Sequence, residues 1–410
     1  MKKRWLTLLI VLLWFQVAWA AVSYAAPPLK QLEAEPQPSV TGQVALMLNS
    51  MSLEEKIGQL FIVSADLANK DLPAPVGGYI LFKRHTPDIE STLALTQHLR
   101  SGSLRLLPFI AVDQEGGRVA RLDFVSKLPA MRRLAGLRPQ TVSRIAWLLG
   151  QELREIGFNL NFAPVMDVAT RSDNPVIGDR SFSPDPLVVA NLGVAFIDGL
   201  QSAGVSAAAK HFPGHGDTRT DSHQTLPTVG HPRERLERVE LLPFQAAVNK
   251  FVDMVMVGHL HFPALDPSPN LPATLSPPVI SGLLRDQLGY EGIIITDAMD
   301  MRAVTNGFDS GQAAVSAFRA GVDIILMPAD FHQAYMALLG AVKTGEIAHA
   351  RLDESLRRIL MLKQRLAARQ ADPNRKAQSE WLATIGPSSH RIWLEKLLKD
   401  QIEFEAEPRH

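Results

Sequence analysis

The fold is predicted most directly by one stretch of sequence, Leu107-Pro108-Phe109-Ile110-Ala111-Val112-Asp113-Gln114-Glu115. It consists of an apolar run of strand length that is followed at once by three polar residues. Similar apolar runs recur along the chain, at residues 59–63, 78–82, 107–112, 160–165, 205–209, 253–257, 292–295 and 322–327. Continuous apolar runs of this kind are typical of parallel strands that are buried on both faces.

Segments with helical patterning separate many of these runs, at residues 142–156, 187–203, 234–249, 311–320 and 334–341. Such an alternation of strands and helices predicts an α/β fold, namely a (β/α)8 TIM-type barrel that forms a single catalytic domain. An open, doubly wound sheet is the alternative. No GxGxxG loop follows the first run, which disfavours a dinucleotide-binding sheet.

Polar residues stand at or just after the ends of the predicted strands: Asp113-Gln114-Glu115, Asp167, Lys210-His211, His259 and Asp297. The carboxyl ends of all barrel strands lie on one face of the barrel. We therefore expect these residues, although they are far apart in the sequence, to share one pocket.

The densest group of ionisable residues lies in one predicted loop, Lys210-His211-Phe212-Pro213-Gly214-His215-Gly216-Asp217, which continues to Asp221-Ser222-His223. Gly214 and Gly216 would allow tight turns in this loop. The carboxylate of Asp221 is close enough in sequence to orient the imidazole of His223. Such a pair can act as a general acid and base. Single histidines are usually structural, but their clustering beside a strand end favours a catalytic role.

Asp297 follows the predicted strand at residues 292–295, where a barrel enzyme can place a nucleophile or a base. Two other interpretations are open at this point. Asp297 could cap a helix that begins beside it, and Asp300 is the nearest competing carboxylate. A helix beginning there would direct Asp300 elsewhere.

A metal centre is a further interpretation of this group of residues. The side chains of ligand type are His211, His215, His223, Asp217 and Asp297, to which His259-Leu260-His261 adds an HxH pattern. The HxH pattern of barrel amidohydrolases usually follows the first strand, whereas this one follows a late strand. We therefore expect no metal and no cofactor.

The N-terminus has the pattern of a signal peptide at residues 1–25. Lys2, Lys3 and Arg4 precede an apolar run at residues 5–15, and Ala18-Trp19-Ala20 or Ser23-Tyr24-Ala25 fits a cleavage site. Export to the periplasm or the cell exterior is expected, with an uncleaved anchor as the alternative. Absence of cysteine fits an exported bacterial enzyme that is stabilised by its core.

The remaining boundaries follow from composition and capping signals. Residues 26–45 are predicted to be a linker, residues 46–370 the barrel and residues 371–410 a helical tail. A capping box at Ser52 and Glu55 opens the first helix of the predicted fold. Lys plus Arg and Asp plus Glu both number 42, so no partner nucleic acid or anionic membrane is indicated. We expect a monomer that is not inserted stably in a membrane after signal cleavage.

Motifs spread over residues 46–366 resemble those of glycoside hydrolase family 3, and specifically its β-N-acetylglucosaminidase branch. They are Gly77-Gly78-Tyr79-Ile80-Leu81-Phe82, Val112-Asp113-Gln114-Glu115-Gly116-Gly117-Arg118-Val119, Ile177-Gly178-Asp179-Arg180-Ser181-Phe182, the loop from Lys210 to His223, Pro272-Ala273-Thr274-Leu275-Ser276 and Thr296-Asp297-Ala298-Met299-Asp300-Met301. The loop from Lys210 to His223 is the most specific of them.

The resemblance implies a retaining mechanism in which terminal, non-reducing β-linked N-acetylglucosamine is released from muropeptides or chitooligosaccharides. Asp297 would form the covalent glycosyl-enzyme, and His223, oriented by Asp221, would be the acid and base. The residues that would bind the sugar hydroxyls are Asp113, Arg121, Arg180, Lys210 and His211. Because a neutral histidine does not repel anions, phosphate could replace water, which would make the enzyme a phosphorylase. The sequence also leaves open a metal-dependent amidohydrolase and a non-catalytic sugar-binding barrel.

Overall fold

Eight parallel strands form the centre of the protein. The structure is a computed structural model, and it describes residues 40–102, 106–222 and 224–370 and positions 392, 394–396 and 398. The described residues belong to one compact unit. The predicted signal peptide, the linker up to residue 39, His223 and most of the predicted tail lie outside the described residues. For these segments, the sequence interpretation stays a prediction.

Each of the eight predicted apolar runs contains or overlaps one observed strand. The strands are β1 (Phe61–Ser64), β2 (Gly78–Leu81), β3 (Phe109–Val112), β4 (Leu160–Asn161), β5 (Ser206–Phe212), β6 (Met254–Val257), β7 (Ile293–Thr296) and β8 (Ile325–Leu326). Their order is β7-β6-β5-β4-β3-β2-β1-β8, and every pairing is parallel. An isolated parallel bridge between Ile295 and Ile324 joins the two outer strands. The (β/α)8 TIM-type barrel is therefore confirmed.

Helices cover the outside of the barrel. They are Val40–Ser50, Leu53–Gly58, Ile89–Ser101, Pro139–Ile156, Pro186–Ser202, Arg233–Arg238, Leu242–Asn249, the π-helix Pro278–Gln287, Arg302–Thr305, Ser310–Ala320, Phe331–Lys343 and His349–Gln370. The predicted helix at residues 234–249 is two helices, because Pro243 can only occupy the first turn of a new helix. The capping box of Ser52 and Glu55 is present as predicted.

The start of the folded chain differs from the prediction. The helix Val40–Ser50 precedes the capping box, and it buries Val44 and Leu48 in the core. The predicted linker at residues 26–45 is therefore wrong for residues 40–45. Its Pro-rich and Glu-rich composition ends before this helix begins, and the apolar residues that follow bury surface on the barrel.

A buried carboxylate holds the barrel closed below β8. Asp323 accepts a hydrogen bond from the backbone N–H of Ile294 at 2.9 Å and from Arg358 at 3.0 Å, and it also pairs with Arg285. Because Arg358 lies on the helix His349–Gln370, this network ties the last helix to the closing strands. Among the residues that the structure describes, none of the helices combines the length and apolar character needed to cross a membrane.

Candidate active site

A cavity of about 370 Å³ opens at the carboxyl ends of the strands. Its charged and polar lining includes Asp113, Glu115, Arg121, Arg180, Lys210, His211, His215, Ser222, Asp297 and Asp300. The structure therefore brings together all five residues that were predicted to bind the sugar and the predicted nucleophile. Those residues come from different strand ends and loops, as expected for a barrel mouth.

Asp297 follows β7 directly. Its backbone N–H donates to Val257 O at 2.9 Å, which continues the pairing with β6, and its Oδ1 accepts from the N–H of Ala298 at 2.8 Å. The next helix is Arg302–Thr305 with Met301 at its N-cap, so Asp297 is not a helix cap. Asp300 lies before that helix as well and lines the cavity, contrary to the expectation that a helix would direct it elsewhere.

The surroundings of Asp297 keep it ionised. Burial raises the pKa of a carboxyl group because water no longer solvates the charge. Around Asp297 this effect is outweighed by His211, His259, the N–H of Ala298 and Lys210, and the pKa of Asp297 is lowered below its ordinary value. An ionised carboxylate is the form that can act as a nucleophile.

Lys210 and Arg180 are held by two acidic residues from the loop after β3. Lys210 Nζ lies 2.7 Å from Asp113 Oδ1 and 2.7 Å from Glu115 Oε1. Arg180 binds both oxygens of Glu115, with Nε 2.9 Å from Oε2 and Nη2 2.8 Å from Oε1. Lys210 lies inside β5, which extends to Phe212, and not after the strand as predicted.

The charges in this network balance one another. Burial would raise the pKa of Glu115, but Lys210 and Arg180 outweigh it and hold that pKa well below its ordinary value. Burial would lower the pKa of Lys210, and here Asp113 and Glu115 raise it instead. Glu115 and Lys210 are therefore both ionised, and each cation is held in a fixed position at the wall of the cavity.

His211 is oriented by Asp167, which is fully buried after β4. His211 Nδ1 lies 2.8 Å from Asp167 Oδ2, so the ring donates from Nδ1 and leaves Nε2 for a ligand. Asp167 Oδ1 also accepts from the backbone N–H of His211 at 3.1 Å and of His215 at 2.7 Å. One carboxylate therefore fixes both the ring and the start of the loop after β5.

Of the two glycines predicted to allow tight turns in this loop, Gly214 does so, whereas Gly216 is required by a close approach of the backbone. Gly214 has a φ of +139°, which favours glycine, and Gly216 packs so tightly that an added Cβ would lie 1.8 Å from Val168 O. Asp221 comes directly before Ser222, which lines the cavity. His223 lies outside the described residues, so its predicted contact with Asp221 stays a prediction.

Arg121 differs from the other cations of the cavity. It lies on the loop after β3, and its backbone N–H donates to Gln114 Oε1 at 2.7 Å. Its side-chain Nε is buried and makes no hydrogen bond with the part of the chain that the structure describes. A buried donor without a partner is costly. The residue as a whole lines the cavity, where it was predicted to bind the sugar.

Several of the residues considered above for a metal centre are engaged in other contacts. His259 Nε2 lies 2.9 Å from Ala298 O and His261 Nε2 lies 3.2 Å from Ser268 O, so both rings of the HxH pattern donate to carbonyls. Asp217 lies outside the cavity, in a group with His231 and Glu240. Arg235 Nη2 is 3.3 Å from Asp217 and 3.1 Å from Glu240, so a guanidinium already occupies the space between the carboxylates.

Sequence reasoning gave no role to Glu115 or Asp167, although both were noted as polar residues after strands. No local sequence pattern distinguishes these two acids, which hold other side chains, from acids that contact a ligand directly. The available signal was an excess of acids: carboxylates at strand ends beside predicted cations are expected to pair with them.

A larger cavity of about 1120 Å³ lies at the amino ends of β6 and β7, at the opposite end of the barrel. Its buried carboxylate, Asp253, is paired with Ser206 and Arg365. Functional groups of TIM-type barrels lie at the carboxyl ends of the strands. The smaller cavity is therefore the candidate active site.

An ionised aspartate among fixed cations, in a polar cavity at this face of a TIM-type barrel, fits a glycoside hydrolase that uses a carboxylate as its nucleophile. The chain belongs to glycoside hydrolase family 3, because the family model described as "Glycosyl hydrolase family 3 N terminal domain" matches residues 52–362.

Individual relatives agree with this assignment. Beta-hexosaminidase A of Pseudoalteromonas piscicida is 38% identical over 345 residues, which cover 77% of this chain and 57% of that protein. The Beta-hexosaminidase of Hydrogenovibrio crunogenus is 36% identical over 288 residues, which cover 68% of this chain and 79% of that protein. The match to the first of them thus covers little more than half of that protein's length.

Among solved structures, a glycoside hydrolase family 3 beta-N-acetylglucosaminidase from Paenibacillus sp. str. FPU-7 is similar, with a TM-score of 0.78 and 39% identity. The match covers 85% of this chain and 68% of that chain. The family match and the engaged histidines together favour a glycoside hydrolase over a metal-dependent amidohydrolase.

Proposed function

We propose that the protein is a retaining exo-β-N-acetylglucosaminidase that hydrolyses terminal, non-reducing β-linked N-acetylglucosamine. The observation that carries the proposal is the position of Asp297, an ionised carboxylate in the same cavity as Asp113, Arg121, Arg180, Lys210 and His211. The names of the relatives support the choice of sugar.

In the proposed first step, Asp297 attacks the anomeric carbon of the sugar while the bond to the leaving oxygen breaks. The N–H of Ala298 holds Oδ1, so Oδ2 is the oxygen that forms the new bond. His223, oriented by Asp221, gives its proton to the leaving oxygen. In the second step His223 takes a proton from water while the water oxygen attacks the anomeric carbon, and the bond between that carbon and Asp297 breaks, which releases the sugar.

The sugar hydroxyls are proposed to bind the charged residues that line the same cavity as the nucleophile. Lys210 and Arg180 donate to the hydroxyls, Asp113 accepts from them, and His211 offers its Nε2. Because these groups are already held by Glu115 and Asp167, substrate binding requires little further ordering of the protein. No metal or cofactor takes part in either step.

Cell-wall muropeptides and chitooligosaccharides are the proposed substrates. The signal-peptide pattern at residues 1–25 supports an exported enzyme that meets them in the periplasm or outside the cell. Phosphate is the second candidate acceptor, and the position of the cation Arg121 at the cavity wall is the observation that favours testing it.

The test is an assay on p-nitrophenyl β-N-acetylglucosaminide with wild type, Asp297→Ala and His223→Ala, in buffers with and without phosphate. Both variants are expected to lose roughly a hundredfold in rate or more. An inactive wild type, or full activity of Asp297→Ala, would overturn the proposal. Formation of the sugar phosphate in place of the free sugar would identify a phosphorylase.

A further inference from the structure

A buried imidazole in the loop after β5 has no role in the mechanism above. His215, Thr218 and Ser222 are all 2% exposed or less, although they belong to a loop at the mouth of the barrel. His215 Nδ1 lies 2.8 Å from Thr218 Oγ1, and Nε2 lies 3.1 Å from Ser222 Oγ. Both ring nitrogens are therefore bound to side chains of the same loop.

The directions of these hydrogen bonds follow from the number of protons available. Burial, together with the nearby His211, lowers the pKa of His215 to about 4, so the ring is neutral near neutral pH. The single hydroxyl proton of Thr218 is donated to His215 O at 3.1 Å. Thr218 Oγ1 must then accept from His215 Nδ1–H, and the bare Nε2 must accept from the hydroxyl of Ser222.

Residues that follow β4 hold the backbone of His215 in place. The N–H of His215 donates to Asp167 at 2.7 Å, and Asn174 Nδ2 donates to His215 O at 2.9 Å and to Gly216 O at 3.0 Å. The far end of the loop is held through Ser222 O, which accepts from the N–H of Ala303 at 3.3 Å. His215 thus connects a fixed point near β4 to the residue that lies between Asp221 and His223.

We propose that His215 is a positioning residue for the acid and base: its ring holds Ser222 and thereby fixes the part of the loop that carries Asp221 and leads into His223. The inference rests on the proposed function, in which His223 transfers the proton. His215 itself exchanges no proton with the substrate. Its effect is on the geometry of proton transfer, which is sensitive to small displacements.

The proposal makes a prediction about leaving groups that a purely structural role does not make. A dinitrophenolate leaves without a proton, whereas a sugar alcohol needs one from the enzyme. Displacement of His223 should therefore slow the release of a sugar far more than the release of dinitrophenolate. Attack of water on the glycosyl-enzyme also needs the base, because water must lose a proton. Azide carries no proton, so its attack does not need the base.

The experiment compares wild type, His215→Phe, which keeps a flat ring but removes both nitrogens, and Ser222→Ala, which removes only the partner of Nε2. His261→Phe is the matched control, because His261 lies outside the cavity. Each protein is assayed on N,N′-diacetylchitobiose and on the dinitrophenyl β-N-acetylglucosaminide, the latter with and without sodium azide.

We expect His215→Phe to lose roughly a hundredfold in kcat/KM on the disaccharide, at least tenfold more than on the aryl glycoside. Azide should accelerate the turnover of the aryl glycoside by His215→Phe and yield the glycosyl azide. Ser222→Ala should show the same pattern to a smaller extent. The control His261→Phe should behave as wild type. Equal losses on both substrates without azide rescue, or no loss at all, would overturn the positioning role. An inactive wild type would instead overturn the proposed function, on which this role depends.

Discussion

Glu115 binds Arg180 through both of its carboxylate oxygens and contacts Lys210 with one of them, at 2.7–2.9 Å throughout. The carboxylate is 1% exposed, and Lys210 is nearly as deeply buried. Two cations that would bind the sugar therefore share one buried anion, which holds Arg180 with both oxygens and holds Lys210 together with Asp113.

Removing the charge of Glu115 should damage both stability and binding. In Glu115→Gln the amide keeps the shape of the side chain but leaves two buried cations short of a counter-charge. We expect the free energy of unfolding to fall by about 3–5 kcal/mol, the range seen when one partner of a buried ion pair is removed. Urea unfolding measures this loss, and kcat/KM on the aryl glycoside should fall with it.

The control is Glu237→Gln, which removes the same charge from an exposed pair with Arg233 one helical turn away. An exposed pair of this kind contributes about 0.5 kcal/mol or less. If the two variants lost equal stability, the buried network would have no special importance.

Asp167→Asn tests whether the orientation of His211 matters. An amide has only one oxygen to accept with, and its NH2 group would oppose either the ring or a backbone N–H of His211. Loss of one well-oriented hydrogen bond to the sugar corresponds to about 1–2 kcal/mol, or roughly tenfold in kcat/KM. Asp198→Asn, on the exposed surface, is the control and should keep its rate. A normal rate in Asp167→Asn would contradict the assigned orientation of the ring.

The barrel could be predicted from the sequence because buried parallel strands leave a strong one-dimensional signal. Residues 253–257 and 292–295 are almost wholly apolar, and they correspond closely to β6 and β7. The end of β5 was less predictable. The sequence predicts that Lys210 and His211 follow the strand, because polar residues rarely lie within a buried strand. In the structure, the ion pairs of Lys210 and the contact of His211 with Asp167 allow both residues to lie within β5.

The sequence predicts the residues of the candidate site that belong to a recognisable motif. It does not predict the residues whose role is to hold another side chain in place. Asp297, Lys210 and His211 were identified and lie together in the cavity. The pairing of Glu115 with Arg180 spans 65 positions, and that of Asp167 with His211 spans 44. Contacts of this range depend on the three-dimensional path of the chain, which no local pattern specifies.

Gly216 should not tolerate even one added methyl group. The Cβ of Gly216→Ala would lie 1.8 Å from Val168 O, and backbone at that distance cannot move aside as a side chain can. We expect a loss of about 1–3 kcal/mol or more in the free energy of unfolding, together with a displaced loop and reduced kcat. Gly230→Ala is the matched control, since nothing lies within 4 Å of its added Cβ. A stable and fully active Gly216→Ala would show that the loop can shift without consequence.

Lys363 should make the stability of the protein depend on pH. Its ammonium group is buried below the barrel, 2.6 Å from Gln59 Oε1 and 5.1 Å from the centre of the Phe109 ring, and burial lowers its pKa from 10.5 to about 7. Between these two values the unfolded chain binds more protons than the folded chain. The free energy of unfolding should therefore rise with pH across this interval, by an amount on the order of a few kcal/mol.

Urea unfolding of wild type and Lys363→Met from about pH 7 to about pH 10 isolates this contribution, because other titrating groups are common to both proteins. The stability of wild type relative to the variant should increase over the interval and level off as pH approaches the pKa of an unfolded lysine. Lys70→Met, at an exposed position, is the control and should leave the pH profile of wild type unchanged. If the difference between wild type and Lys363→Met were independent of pH, Lys363 would have the same affinity for its proton in both states, and burial would not be setting its charge.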